Sequence, residues 1–145
     1  MEISEVQLSY RNKVKAADRK KVSCSSNGVS ILRPFYEEYM EHREVSFAML
    51  LNRGNQVLGV IRLSEGGVSG TVVDSKVLYQ AAILANASAI ILSHNHPSGV
   101  LKASQADIDI TKKLVKAGKL FDIQVLDHII FTEENYLSMA DEDLM

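Results

Sequence analysis

Apolar and polar positions along the chain alternate between spacing typical of strands and spacing typical of helices. Short apolar runs and two-residue alternation predict strands over 1–10 (an edge strand), 45–51, 56–63, 69–73, 88–93 and 121–132. Apolar residues at three- and four-residue spacing predict helices over 29–42, over 76–86 and from 105 to a terminating glycine, Gly118. Helices interleaved with strands are typical of a mixed sheet that helices cover. The pattern therefore predicts an α/β protein whose final strand is buried on both faces.

Composition narrows the class of protein. The chain has 145 residues, of which 46% are hydrophobic and 23% are charged, as is ordinary for one globular domain. A single cysteine, Cys24, excludes an internal disulfide and suggests a reducing compartment. The first residues lack the apolar segment of a secretory signal, and no apolar run approaches the roughly 18 residues of a membrane span. We therefore expect a cytoplasmic protein with no membrane partner.

The charge is nearly balanced, with one local exception. A net charge of −2 does not favour a dedicated nucleic-acid-binding protein, which usually carries a basic excess. The basic stretch, defined as residues 11–21, departs from this balance with Arg11, Lys13, Lys15, Arg19, Lys20 and Lys21 against Asp18. Such a stretch is either solvated surface or a phosphate-binding arm, and the sequence leaves both interpretations open.

Two histidines and one aspartate carry the strongest chemical signal. His94 and His96 follow a predicted strand, and their two-residue spacing places them on one face of extended backbone. Asp107 follows after ten intervening residues, at the start of a predicted helix. Two imidazoles and one carboxylate form a zinc ligand set that leaves a fourth position open for water. The alternatives are hydrogen-bonded histidines without a metal, and an Asp107 that forms a capping box with Ser104.

A hydrolytic metal site also needs a base. The candidates are Glu37, Glu38, Glu41, Glu44 and Glu65, of which Glu44 directly precedes an apolar strand. The hydroxyl of Ser104 can donate to a developing oxyanion, or it can simply cap the following helix. Asp127 and His128 interrupt the final apolar strand. They are either a further metal-binding or supporting pair, or hydrogen-bonded structure.

The spacing His94-x-His96-Pro97 followed by Ser104-x-x-Asp107 resembles the JAMM motif of the JAB/MPN metalloprotease family. The segments 94–99, 126–130 and 70–72 resemble the RadC-like branch in particular. This resemblance implies a three-layer α/β/α sandwich around a mixed sheet, the cytidine-deaminase-like fold. It also implies zinc held by His94, His96 and Asp107, with Glu44 acting through the zinc water and Ser104 stabilising a tetrahedral intermediate. The implied reaction is attack of zinc-activated water on the carbonyl of a peptide or isopeptide amide.

The resemblance begins near Val29, so we expect an N-terminal strand and basic connector over 1–28 and a RadC-like JAB/MPN domain over 29–145. Two alternatives remain open: a nucleic-acid-associated factor in DNA repair or mobile-element biology, and a non-catalytic interaction module. Exposed edge strands would permit a homodimer. A nucleoside deaminase is excluded because it needs a cysteine pair, and a zincin because the chain has no H-E-x-x-H.

Overall fold

The computed structural model describes residues 2–66 and 73–145 and shows one five-stranded sheet. The strands are β1 (Val45–Leu51), β2 (Val57–Glu65), β3 (Ala89–Asn95), β4 (Gln124–Phe131) and β5 (Tyr136–Ser138). Their spatial order is β2-β1-β3-β4-β5. β3 and β4 are parallel and the other neighbours are antiparallel, so the sheet is mixed as predicted.

In the described part of the chain, three α-helices accompany the sheet: α1 (Ser25–Leu32), α2 (Ser75–Leu84) and α3 (Gln105–Lys119). Short 3₁₀ helices cover Ala16–Asp18 and Arg33–Tyr36. The Asp74 side chain begins α2 by accepting hydrogen bonds from the amides of the first turn, as polar N-cap residues do. None of the described helices is both long and apolar enough to cross a membrane.

Alternation along β3 divides the core into two layers. Ile90 and Leu92 point to a cluster that includes residues of α2 and α3, whereas Ala89 and Ile91 point to a cluster with α1. Both clusters are built from side chains that are almost fully buried. The sheet is therefore covered on both faces, which confirms the predicted three-layer α/β/α sandwich around a mixed sheet.

Register brings the chemically interesting residues to one end of β3. Ser46 of β1 lies opposite His94 of β3, so Glu44, two residues earlier, falls at the same end of the sheet. On the other side of β3, Leu92 lies opposite His128 of β4. The sheet thus places Glu44, both histidines of the motif and His128 toward the same end of its central strands.

The structure corrects the predicted N-terminal half. Residues 2–10 form no strand, and Ile3, Val6 and Leu8 are largely exposed because their apolar alternation meets no surface to cover. The helix predicted over 29–42 begins earlier, at Ser25, and changes to a 3₁₀ helix at Arg33. Pro34 explains that change, since it lacks the amide that an α-helix requires.

Three further differences concern the second half. The strand predicted over 69–73 falls, except for Val73, outside the described residues. Gly118 lies inside α3 rather than after it. A Cβ at Gly118 would lie 2.3 Å from the carbonyl oxygen of Ile123, so close backbone approach requires glycine there. β5 was not predicted, because its three residues carry too little pattern.

Candidate metal centre

The two motif histidines extend from the end of β3. His94 is in the strand, and the amide of His96, just beyond it, donates to the carbonyl of Phe131 at 2.8 Å. That bond keeps the backbone extended past the formal end of β3, so both imidazoles stay on the same face. Asp107 approaches from the first turn of α3. Two consecutive elements, β3 and α3, therefore deliver their side chains to one point.

The side chains of Glu44, His94, His96 and Asp107 form a compact group, with one ligand atom of each within 4.8 Å of the others. The Nε2 atoms of the two histidines are 2.9 Å apart. Asp107 Oδ1 lies 3.3 Å from His94 Nε2, and Asp107 Oδ2 lies 3.3 Å from His96 Nε2. Two ligand atoms of a tetrahedral zinc site lie about 3.3 Å apart, given Zn–N and Zn–O bonds of about 2.0–2.2 Å. The group therefore has the dimensions of a metal centre.

The donor set also needs a cation. The carbonyl of Val100 lies 2.9 Å from His96 Nδ1. A carbonyl only accepts, so Nδ1 carries the proton and a neutral His96 presents its Nε2 lone pair to the cluster. That lone pair faces another ring nitrogen and two carboxylates. Protons or a metal ion must neutralise such an arrangement, and the residues present fit a divalent metal.

Asp107 serves the helix cap and the cluster together. Its Oδ2 accepts from the amide of Ser104 at 2.9 Å, while Ser104 Oγ accepts from the amide of Asp107 at 3.0 Å. This is a complete capping box. Because each carboxylate oxygen has two acceptor positions, the cap leaves lone pairs directed at both histidines. The two interpretations of Asp107 that the sequence left open are therefore compatible.

Ionisation in the cluster follows from these contacts. Burial acts to raise the pKa of Asp107, but hydrogen bonds and charge from the two histidines when their rings are protonated, with the Ser104 amide, hold that pKa well below its usual range. The Asp107 carboxylate raises the pKa of His96. Burial lowers the pKa of His128 well below its ordinary value. The site thus holds an ionised carboxylate beside an imidazole and a neutral, buried His128.

Glu44 owes its position to Asn95, a residue that the sequence reasoning did not single out. Asn95 is fully buried and points away from the cluster, on the opposite face of β3. Its Oδ1 accepts from the Val45 amide at 2.8 Å, and its Nδ2 lies 2.8 Å from the Arg43 carbonyl and 3.1 Å from that of Met40. These bonds fix the backbone on both sides of Glu44. Its location between the two histidines was the signal that could have identified it.

Glu44 is the one candidate base within the four-residue group, and its Oε1 lies 3.8 Å from His94 Nε2. Glu65 instead pairs with Arg43 and Arg62. Neither Glu37, Glu38 nor Glu41 belongs to the group. Among the predicted alternatives, the structure therefore brings only Glu44 to the candidate metal position.

Asp127 and His128 have different environments. Asp127 accepts from Ser138 Oγ at 2.6 Å and from the Ala140 amide at 3.0 Å, so it connects β4 to β5 and the following turn. His128 Nε2 lies 2.7 Å from His94 Nδ1. Asp127 is therefore a structural carboxylate, whereas His128 contacts a candidate ligand.

A cavity of about 180 Å³ opens at the cluster and is lined by Glu44, Val73, His94, Ala106, Asp107, Ile110 and His128. A second groove, of about 630 Å³, lies beside His96 and includes Ser98, Val100, Lys102, Ser104 and Ile108. Within the described residues, the basic stretch contributes to neither. The candidate metal position is thus accessible from a small cavity with a more open groove next to it.

Comparison with known proteins agrees with the geometry. Residues 22–144 match the family model described as RadC-like JAB domain. The chain is 41% identical over 125 residues to a UPF0758 protein of Flavobacterium johnsoniae, covering 86% of this chain and 54% of that protein. A UPF0758 protein of Geotalea uraniireducens is 40% identical over 116 residues, covering 79% and 51%. One from Methanosarcina barkeri is 34% identical over 137 residues, covering 94% and 59%.

The chain spans about half the length of these curated relatives. The match nevertheless covers most of this chain, including every residue of the candidate metal centre. The sequence motif, the layered fold and these matches agree that the chain belongs to the RadC-like JAB domain family.

Proposed function

We propose that this chain is a zinc-dependent hydrolase that cleaves an amide bond. The observation that carries the proposal is the convergence of His94 Nε2, His96 Nε2 and the Asp107 carboxylate on one point, with Glu44 beside it. Two imidazoles and a carboxylate suit zinc, and three protein ligands leave the open position that a catalytic site requires.

Zinc held by these residues would supply Lewis acidity and a water nucleophile near neutral pH. The protein's own contribution starts with Glu44, whose carboxylate is placed to accept a proton at Oε1 and return it to the leaving amine. Ser104 contributes a hydroxyl. Since Ser104 Oγ accepts from the Asp107 amide, its own proton remains available for donation to the carbonyl oxygen of a substrate.

Peptide and isopeptide amides are the proposed substrate class. The cavity at the cluster is too small for a large ligand, which normally occupies about 300–1,000 Å³. The adjoining groove offers apolar contacts from Val100 and Ile108 and a cation from Lys102. A polypeptide lying in the groove can reach the cluster with one carbonyl, so the proposal favours an extended chain over a compact small molecule.

The test begins with metal content. Parent protein, Asp107→Ala and Asp109→Ala are dialysed against buffer with zinc and then against zinc-free buffer that contains no chelator. Zinc per chain is then measured by mass spectrometry. Asp109 is the matched control, because it lies on the same helix but bonds to Gln105 on the surface. We expect about one zinc in the parent and in Asp109→Ala and far less in Asp107→Ala. Parent protein without zinc would refute the proposal.

Activity is then measured on a panel of peptide and isopeptide substrates. Glu44→Gln keeps the side-chain size and removes the base, so we expect it to retain zinc and lose hydrolysis by at least 100-fold, the scale of general-base catalysis. Hydrolysis that is unchanged in Glu44→Gln would contradict the role given to Glu44.

A further inference from the structure

A buried hydrogen-bond network lies behind His94, on the side away from the candidate metal. His94 Nδ1 is 2.7 Å from His128 Nε2, and His128 Nδ1 is 2.6 Å from Thr111 Oγ1. Thr111 Oγ1 is in turn 2.6 Å from the carbonyl oxygen of Asp107. His94, His128 and Thr111 are all at least 96% buried. We call these three side chains the His94 network; it joins β3, β4 and α3.

The direction of these bonds can be worked out from one end. The Asp107 carbonyl can only accept, so the 2.6 Å contact requires the Thr111 hydroxyl to donate its single proton there. The Met139 sulfur, at 3.8 Å from the hydroxyl, is a weaker alternative acceptor. Having donated its proton, Thr111 Oγ1 must accept from His128 Nδ1, since two lone pairs 2.6 Å apart would repel each other.

The direction of the next bond follows from the position of the proton on His128. Its proton is on Nδ1, so a neutral His128 presents a lone pair at Nε2. The 2.7 Å contact then requires His94 Nδ1 to be the donor. With its proton on Nδ1, His94 directs the Nε2 lone pair at the cluster with Asp107 and His96. The opposite setting would put a proton on His94 Nε2, where a metal ligand cannot carry one.

We propose that Thr111 and His128 are positioning residues that hold His94 in the Nδ1–H tautomer, the form able to bind a metal through Nε2. The inference rests on the proposed metal site and extends it to residues that do not touch the metal. The His94 network begins at the first turn of α3. There Asp107 supplies a ligand with its side chain and sets the His94 tautomer with its backbone carbonyl. The ligands are thereby coupled, because a displacement of that turn disturbs both.

Zinc affinity of Thr111→Val provides the first test. Valine has the shape of threonine without the hydroxyl, so His128 loses the acceptor that fixes its tautomer. Partners of this kind typically change metal affinity by 10- to 100-fold. In competition with a chromophoric chelator, we expect Thr111→Val to bind zinc at least 10-fold more weakly than the parent. Thr111→Ser, which restores the hydroxyl, should bind within about threefold of the parent.

The control for losing a buried hydroxyl is Thr132→Val. Thr132 is 5% exposed, and its hydroxyl bonds locally to Asn135. Thr132→Val should therefore bind zinc as the parent does. Chemical denaturation of every variant separates loss of affinity from loss of folding. Folded Thr111→Val that binds zinc as tightly as the parent would overturn the proposal.

A second measurement needs no metal. The ring nitrogens of ¹⁵N-histidine-labelled protein report the tautomer in long-range ¹H–¹⁵N spectra, with His128→Gln used to assign the His128 signals. We expect His128 as the Nδ1–H tautomer in metal-free and zinc-loaded protein; the Nε2–H tautomer would overturn the proposal. The two failures are distinguishable: a parent that binds no zinc but shows Nδ1–H His128 refutes the metal site and keeps the network.

Discussion

Replacing Asn95 by leucine should destabilise the protein without removing a ligand. The change preserves the approximate size of the side chain but deletes an acceptor for the Val45 amide and the donors to the preceding loop, including the carbonyls of Met40 and Arg43. Those bonds lie on the face of β3 opposite the cluster. We therefore expect the loop that carries Glu44 to loosen while both histidines stay in place.

The loss of unfolding free energy depends on whether each group that loses its partner can bind water instead. The Val45 amide belongs to a fully buried residue and cannot reach water, so leaving it unsatisfied costs about 1–3 kcal/mol. The loop carbonyls belong to residues that are exposed or half-buried, and they can bind water instead at roughly 0.5–1 kcal/mol each. For the Val45 amide and the carbonyls of Met40 and Arg43 together, the expected total is about 2–5 kcal/mol.

Urea denaturation monitored by circular dichroism measures this loss of unfolding free energy. Zinc content and hydrolysis are measured on the same preparations. Asn95→Leu should keep zinc and lose hydrolysis as Glu44→Gln does. Asn52→Leu is the control, because the Asn52 side chain bonds only to Gln56 among the described residues, within the β1–β2 turn, and losing these bonds should cost about 1 kcal/mol. Asn95→Leu with a free energy of unfolding within 0.5 kcal/mol of the parent, on the order of a typical surface substitution, would refute the reasoning.

Two further changes test the packing around the site. Gly118→Ala should cost more than about 2 kcal/mol in urea denaturation, since its Cβ would meet the Ile123 carbonyl oxygen at 2.3 Å and the backbone would have to move; unchanged stability would contradict the close approach. Tyr36→Phe removes the 2.7 Å bond to Ser93 on the α1 face and should cost about 1 kcal/mol while zinc affinity stays at the parent value; a tenfold change in zinc affinity would show that the two faces are coupled.

The strands and helices could be predicted where burial and local hydrogen bonding favoured the same element. β1 and β3 are continuous apolar runs that end at turn-forming or polar residues, and both are buried throughout. The capping residues Asp74 and Ser104 mark the starts of α2 and α3, and the structure shows both caps in use. Local hydrogen-bond chemistry and burial pointed to the same elements, so the layered α/β architecture was accessible from the sequence.

Predictions failed where tertiary context decided the outcome. Val6, Leu8 and Tyr10 alternate with polar residues as in a strand, yet a strand also needs a partner, which local sequence cannot reveal. Gly118 is a residue type that often follows the end of a helix, but the close approach of the Ile123 backbone explains why glycine is needed there. In both cases the deciding contact comes from outside the local pattern.

The candidate site shows the same division. His94, His96 and Asp107 stand out because few kinds of site other than a metal centre require those residue types at that spacing. The structure brings them together with Glu44. Their roles remain predictions until metal is measured.

The residues that hold the site in place could not be identified in this way. Asn95 and Thr111 are ordinary in sequence, and their importance depends on which backbone carbonyl or ring nitrogen lies within 3 Å. Such a partner is set by sheet register and by the docking of α3. A motif can therefore identify the atoms that would bind a metal, whereas the proton on His94 depends on Thr111, a residue in another element. Substitutions in these supporting residues are consequently the sharper test of whether the family's motif is functional in this chain.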